Sequence, residues 1–157
     1  KNKYDERETF ILNLKKMNSN INLELLGINN EEPKWGFEFS SAISKCKMAL
    51  NLSRGKPVKF YSSNRIASYV ANGIATLIDE KTQYRNFFDD SEILFYNNID
   101  HLSEIIDSNK GNIKKLNRIG KNGKKRYFEI FDNLIVSQFI LKKVFNIKNK
   151  AKIIWDK

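Results

Sequence analysis

Residues 48–79, MALNLSRGKPVKFYSSNRIASYVANGIATLID, decide the fold of this chain. The apolar run at residues 48–52 predicts a buried strand, and residues 74–78 predict a second one. A polar loop and an amphipathic helix separate the two strands. Strand, loop, helix and strand in this order form the repeating unit of a parallel sheet that is covered by helices.

The helix of this unit has clear start and stop signals. Residues 62–64, Ser-Ser-Asn, are favoured N-cap residues, so the helix is predicted to open at one of them. Apolar residues then recur at helical spacing over residues 66–70. Asn72-Gly73 predicts a left-handed stop. The N-terminus of this helix therefore lies at the edge of the sheet where α/β proteins bind anions.

Several cations accompany this helix N-terminus. Arg54, Lys56 and Lys59 lie in the loop, and Arg65 lies in the first helical turn. Cations beside free backbone amides predict a binding site for a phosphate or diphosphate. The alternative is that these side chains are solvated surface charges and that the serines serve only as caps. The predicted ligand-binding residues are Arg54, Lys59, Ser62, Ser63, Asn64 and Arg65.

The remaining elements complete an alternating pattern that closes with helices. Helices are predicted at residues 5–17, 36–46, 101–107, 111–131 and 134–145, and further strands at residues 21–28 and 92–96. Gly120 and Gly123 are predicted to loosen or break the long helix, and the last helix is predicted to turn Ile135, Phe139 and Ile140 inward. The fold class is therefore α/β, a Rossmann-like open, mostly parallel sheet with helices on both faces and a helical C-terminal segment.

Composition limits the partners. Lys and Arg outnumber Asp and Glu by 28 to 18, a net charge of +10, which favours anionic partners. The single Cys46 and single His101 exclude an internal disulfide and a Cys/His zinc cluster. No metal site is predicted. The chain carries no export signal and no apolar run of membrane-spanning length, so a cytoplasmic location is expected.

Several pieces, in this order, resemble the C-terminal, donor-binding half of GT-B glycosyltransferases, specifically the group 1 and spore-maturation-protein-like glycosyltransferases. The pieces are residues 50–53, 65–73, 74–79, 87–88, 92–96, 100–107 and 119–123. The family usually has a glutamate three residues after the helix arginine, where this chain has Ser68. That glutamate helps to hold the sugar or ribose of the donor, so Ser68 is counted among the donor-binding residues and weakens the expectation of activity.

The resemblance implies a function and a domain plan. Residues 1–145 would bind a nucleotide-diphosphate sugar without a metal or another tightly bound cofactor, for transfer to a glycan, lipid-linked or protein acceptor in bacterial polysaccharide biosynthesis. Residues 146–157 would form a basic tail. The first strand of the sheet and an N-terminal acceptor-binding domain are expected upstream of Lys1. No catalytic residue is assigned, and the fragment alone is expected to be inactive.

Two alternatives stay open. A non-catalytic basic module that binds nucleic acid or another anionic partner would also explain the net charge, although no nucleic-acid recognition motif supports it. A degenerate glycosyltransferase half, kept for assembly or regulation, would explain Ser68. Cation runs at residues 121–126 and 142–152 leave two interpretations, a solvated helix face or a peripheral contact with the anionic inner face of the membrane.

Overall fold

The computed structural model of the chain describes residues 6–28, 30–146 and 154. Most of the predicted basic tail and residue 5 of the predicted first helix lie outside the described residues. Two short 3-10 helices, Glu80–Thr82 and Tyr84–Asn86, follow the second strand. In chain order the other elements are α1 (Glu6–Met17), α2 (Gly36–Ser44), β1 (Met48–Asn51), α3 (Asn64–Val70), β2 (Ala75–Asp79), β3 (Leu94–Tyr96), α4 (Ile99–Asn109), α5 (Ile113–Phe131) and α6 (Asn133–Phe145).

The three strands form one parallel sheet in the order β1-β2-β3. Met48 is paired with Ala75, and Leu77 is paired with Leu94. All three strands therefore end at the same edge of the sheet. The predicted α/β class with a Rossmann-like parallel sheet is confirmed.

Side chains of β2 alternate between two apolar cores, one on each face of the sheet. On the first face Ala75 and Leu77 pack with residues of α1, α4 and α5. On the second face Ile78 packs with Ile66 and Val70 of α3 and with an aromatic group. That aromatic group consists of Tyr84, Phe87, Phe88, Phe95, Tyr127 and Phe131. Helices thus cover both faces, as an open parallel sheet requires.

The predicted strand at residues 21–28 is wrong, because this segment is irregular and pairs with no strand among the described residues. Its apolar side chains pack without a hydrogen-bonded ladder, Ile21 against one core cluster and Leu26 against another. Gly27 has a φ of 70°, which interrupts extended backbone. Apolar alternation alone therefore indicated burial here, not strand pairing.

The predicted break of the long helix at its glycines is also wrong. Helix α5 runs without interruption for 19 residues. Gly120 and Gly123 are buried because the helix backbone meets other backbone there. A β-carbon at Gly120 would overlap the carbonyl oxygen of Gly73, and one at Gly123 would overlap that of Glu92. The glycines permit close approach of α5 to the sheet rather than a bend.

Helix α6 differs from its prediction in its packing. Ile135 and Phe139 are half-buried, as their inward prediction requires, but Ile140 is 52% exposed. No residue of α6 is fully buried. Among the described residues, no helix combines the length and the apolar character needed to cross a bilayer.

Candidate functional site

The carboxyl ends of all three strands border one cleft. Leu52 and Ser53 directly follow β1, Asp79 ends β2, and Tyr96 ends β3. Arg7 of α1 also lines the cleft. The cleft has a volume of about 160 Å³ and is also lined by Glu6, Phe10, Gly55 and Pro57. Its position matches the rule that open parallel sheets bind ligands beyond the carboxyl ends of their strands.

Asp79 and Tyr96, the last residues of β2 and β3, both line this cleft. The Asp79 carboxylate accepts a hydrogen bond from the Lys81 backbone N–H at 2.8 Å and so caps the short 3-10 helix that follows β2. Burial raises the pKa of Tyr96, and the nearby Asp79 carboxylate raises it further. The Tyr96 hydroxyl therefore stays protonated and is able to donate a hydrogen bond over the physiological pH range.

The start of α3 is tied to the end of β1. Ser63 occupies the N-cap position, but its hydroxyl makes no hydrogen bond to a helix amide. It donates instead to Oδ1 of Asn51 at 2.9 Å. The prediction that α3 opens at one of residues 62–64 is confirmed, but the Ser63 hydroxyl is taken up by a buried amide at the end of β1 instead of a helix amide. The predicted C-terminal stop is confirmed, since Gly73 has a φ of 76°.

Arg65 is fixed at the same junction. Its Nη2 donates to the carbonyl oxygen of Leu52 at 2.7 Å. Burial raises the pKa of Tyr69 one turn later, and the positive charge of Arg65 offsets part of that rise. The half-buried guanidinium thus lies between the loop after β1 and its own helix. Four of its five N–H donors are not used by the Leu52 contact.

The other predicted polar residues around α3 make local contacts. Burial raises the pKa of Tyr84, and a hydrogen bond with the exposed Ser62 offsets part of that rise. Asn64 is exposed, and its carbonyl accepts the Ser68 hydroxyl at 2.9 Å. Ser68 therefore bonds its own helix, and its carbonyl accepts Nδ2 of Asn72 at 2.6 Å.

The cations of the loop between β1 and α3 are exposed, although the loop backbone is held by a hydrogen bond at Phe60. Arg54, Lys56 and Lys59 all have exposed side chains, and the Lys59 ammonium lies 4.9 Å from the ring centroid of Phe60. The backbone of Phe60 is left-handed, with a φ of 57°, and its N–H donates to the Thr82 carbonyl at 2.9 Å. The C-terminal end of the loop is therefore hydrogen-bonded to the 3-10 helix Glu80–Thr82 that follows β2, while the loop cations face solvent.

The structure brings the predicted residues together only in part. Ser63 and Arg65 meet at the β1–α3 junction, whereas Arg54 and Lys59 extend from the loop into solvent. The cleft is lined by residues outside the predicted set, chiefly Arg7, Ser53, Asp79 and Tyr96. The convergence of parallel strand ends was the signal for Asp79 and Tyr96. The position of Arg7 depends on how α1 docks, which no motif indicates.

A second cleft of about 250 Å³ lies at the opposite, amino edge of the sheet. It is lined by Cys46, Asn72, Ala75, Asn117 and neighbouring residues. The Cys46 thiol is half-buried and donates to the Ala42 carbonyl, and burial raises its pKa. This thiol is therefore weakly reactive. The smaller cleft is the better candidate site because it lies at the edge where parallel sheets bind ligands.

Metal binding has no support from side-chain clustering. Within residues 6–28 and 30–146, no three potential ligands from His, Cys, Asp and Glu come together. The candidate site offers an arginine, carboxylates and a tyrosine hydroxyl.

A parallel α/β sheet with a cleft at its carboxyl edge defines a Rossmann-like protein. The model of the family described as "Glycosyl transferase-like" matches residues 7–133. The chain therefore belongs to this glycosyltransferase-like family. The match includes every strand and the cleft-lining residues from Arg7 to Tyr96. No curated protein and no solved structure matches the chain significantly.

Proposed function

We propose that this chain is the donor-binding half of a GT-B glycosyltransferase and binds a nucleotide-diphosphate sugar at the carboxyl edge of its sheet. The observation that carries the proposal is the family match over residues 7–133. The resemblance of the pieces between residues 50 and 123 supplies the assignment to the donor half. Transfer itself would also require an acceptor-binding domain.

The charges at this edge suggest that different residues bind the diphosphate and the sugar or ribose of the donor. Arg54, Lys59 and Arg65 would neutralise a diphosphate, which is also the leaving group in sugar transfer. Asp79 and Glu6 in the cleft are hydrogen-bond acceptors suited to sugar or ribose hydroxyls. A diphosphate would be repelled by these carboxylates, so we assign it to the cationic loop.

The size of the cleft sets a limit on this proposal. Pockets that enclose a drug-sized ligand usually measure about 300–1,000 Å³, and this one measures about 160 Å³. The cleft is large enough for one sugar or ribose unit, and the rest of the donor would lie over the loop.

Calorimetric titration with UDP-, GDP- and ADP-sugars tests the proposal. We expect one saturable site for one of these nucleotides. Arg65→Ala should weaken binding about 10- to 100-fold, since a charged hydrogen bond contributes about 1.5–3 kcal/mol. Arg118→Ala, which removes an exposed arginine from α5, is the matched control and should leave the affinity unchanged.

Because Arg65 also bonds the Leu52 carbonyl, a second variant separates binding from local structure. Lys59→Ala removes an exposed cation from the loop and should weaken binding up to about fivefold, since an exposed ion pair contributes up to about 1 kcal/mol. Absence of binding by all three nucleotide classes, or equal affinities for the wild type and both variants, would overturn the proposal. A basic nucleic-acid-binding module would instead show generic affinity for DNA or RNA that falls steeply with salt.

A further inference from the structure

Helix α5 carries a basic stripe along its outer face. Lys114, Arg118, Lys121 and Lys125 are spaced by four, three and four residues, so they lie on one side of the helix. All four side chains are exposed, while the opposite side of α5 buries Leu116, Ile119 and Ile130. Only Lys125 has a carboxylate partner among the described ion pairs, Glu129 at 4.0 Å. The basic stripe is therefore largely uncompensated.

Helix α6 carries an apolar face that nothing in the described part of the chain covers. The inner side of α6 packs Ile135 and Phe139 towards the protein, where both are half-buried. Side chains on the other side are 48–69% exposed. This apolar face consists of Leu134, Ile140, Leu141, Val144 and Phe145. Exposed apolar side chains in such a cluster mark an interaction surface.

The two surfaces belong to one helical unit. A single residue, Asp132, joins α5 to α6, and its carboxylate accepts the Leu134 N–H at 2.9 Å. Residues 113–145 contain nine lysines and arginines but only two acidic residues. Lys142 and Lys143 border the apolar face. A helix with a cationic polar face and an apolar face is the recognised composition of segments that lie on anionic membranes, and here these two features occur on consecutive helices.

We propose that the basic stripe of α5 and the apolar face of α6 bind the surface of an anionic phospholipid bilayer. In this arrangement α6 lies among the headgroups and the α5 cations contact anionic headgroups. The occupant follows from charge complementarity. A second copy would bring two strongly basic surfaces together, and nucleic acid would leave the apolar face uncovered. This inference is independent of the donor site proposed above.

Co-sedimentation of the 157-residue chain with vesicles tests the proposal. The vesicles contain phosphatidylcholine with about 30 mol% phosphatidylserine, a composition that presents the anionic potential of a cytoplasmic leaflet. We expect binding to these vesicles and at least about tenfold weaker binding to pure phosphatidylcholine. High salt should weaken the binding without abolishing it, since the apolar contact is not screened.

Two variants and one matched control locate the surface. Replacing Lys114, Arg118, Lys121 and Lys125 by Gln should weaken binding at least about tenfold. Replacing Leu141, Val144 and Phe145 by Ser should do the same by removing the apolar contact. The control replaces four exposed lysines elsewhere by Gln, removes the same charge, and should change binding by less than about threefold. Those control lysines are Lys15, Lys16, Lys45 and Lys47.

Circular dichroism melting curves establish that each variant is folded before its binding is compared. Equal losses in the basic-stripe variant and the control would overturn the proposal, because net charge alone would then explain binding. Absence of vesicle binding by the wild type would overturn it as well. So would tighter binding to duplex DNA or RNA that the α6 variant leaves unchanged, or a concentration-dependent dimer that the α6 variant dissociates.

Discussion

Asn51 connects the sheet to the helix that borders the candidate site. Its side chain is 3% exposed and accepts the Ser63 hydroxyl at 2.9 Å. A buried amide must be hydrogen-bonded to be tolerated, so this contact fixes where α3 begins. Arg65, held at 2.7 Å by the Leu52 carbonyl, depends on the same junction.

A double-mutant cycle measures the Asn51–Ser63 contact. Asn51→Ala and Ser63→Ala should each lower the free energy of unfolding by about 1–2 kcal/mol, and the coupling energy should be about 1 kcal/mol. Urea unfolding of the four proteins gives these values. Purely additive effects would contradict the contact.

Tyr96 makes stability depend on pH at the alkaline end. Burial raises its pKa in the folded chain above the unfolded value, so the folded protein holds the phenolic proton more tightly. Its contribution is fully present below about pH 10, the ordinary tyrosine value, and is lost as the pH rises further. We expect Tyr96→Phe to reduce the loss of stability above pH 10 by up to about 1.4 kcal/mol per pH unit.

Urea unfolding between neutral pH and pH 11 measures this slope, and tyrosinate absorbance follows the ionisation directly. Burial also raises the pKa of Tyr69, Tyr84 and Tyr127, so the variant should keep part of the alkaline loss. Identical slopes in wild type and variant would mean that Tyr96 ionises equally easily in both states.

At the scale of elements, the backbone of helix α5 packs directly against other backbone at two glycines. Its backbone approaches the turn after α3 at Gly120 and the segment before β3 at Gly123. Gly120→Ala should therefore lower the free energy of unfolding by about 1–3 kcal/mol, because the overlap with the Gly73 carbonyl outweighs the gain in helix propensity.

Gly111→Ala is the matched control for this prediction. No heavy atom lies within 4 Å of the β-carbon position at Gly111. We expect its effect to stay within about 0.5 kcal/mol. Thermal or urea unfolding compares the two variants, and a neutral Gly120→Ala would show that α5 shifts to make room.

The unit at residues 48–79 was predictable because each of its signals is local. Both strands, the loop, the helix and the Gly73 stop follow from apolar runs, turn residues and capping chemistry. The failures concern distant partners. Residues 21–28 have strand-like alternation but no neighbouring strand among the described residues. The need for glycine at position 120 comes from contact with the Gly73 backbone, which lies 47 positions earlier in the chain. The cleft residue Arg7 depends in the same way on the docking of α1.

At the scale of the whole molecule, the chain divides into a core and a peripheral helix. The family match ends at residue 133, the first residue of α6, and α6 buries no side chain fully. Helix α5, in contrast, contributes Leu116, Ile119 and Ile130 to the buried interior. The core therefore ends with α5.

Truncation tests this division. Deleting residues 133–157 should preserve a cooperative unfolding transition and cost about 2–3 kcal/mol, the contribution of a few half-buried apolar side chains. Deleting residues 113–157 should abolish the transition, because both apolar cores lose α5 side chains. Circular dichroism and urea unfolding of the two truncated chains distinguish these outcomes.

The contact of Gly120 with Gly73 has a consequence for where chain length is free to vary. Because main chain touches main chain there, no side chain is available to take up a shift in spacing. An insertion or deletion between α3 and β2 would displace the backbone contact between Gly73 and Gly120. The exposed loop around Gly55, in contrast, has open space beside it. Related sequences should therefore differ in length at the loop near position 55 and keep the turn at position 73 constant.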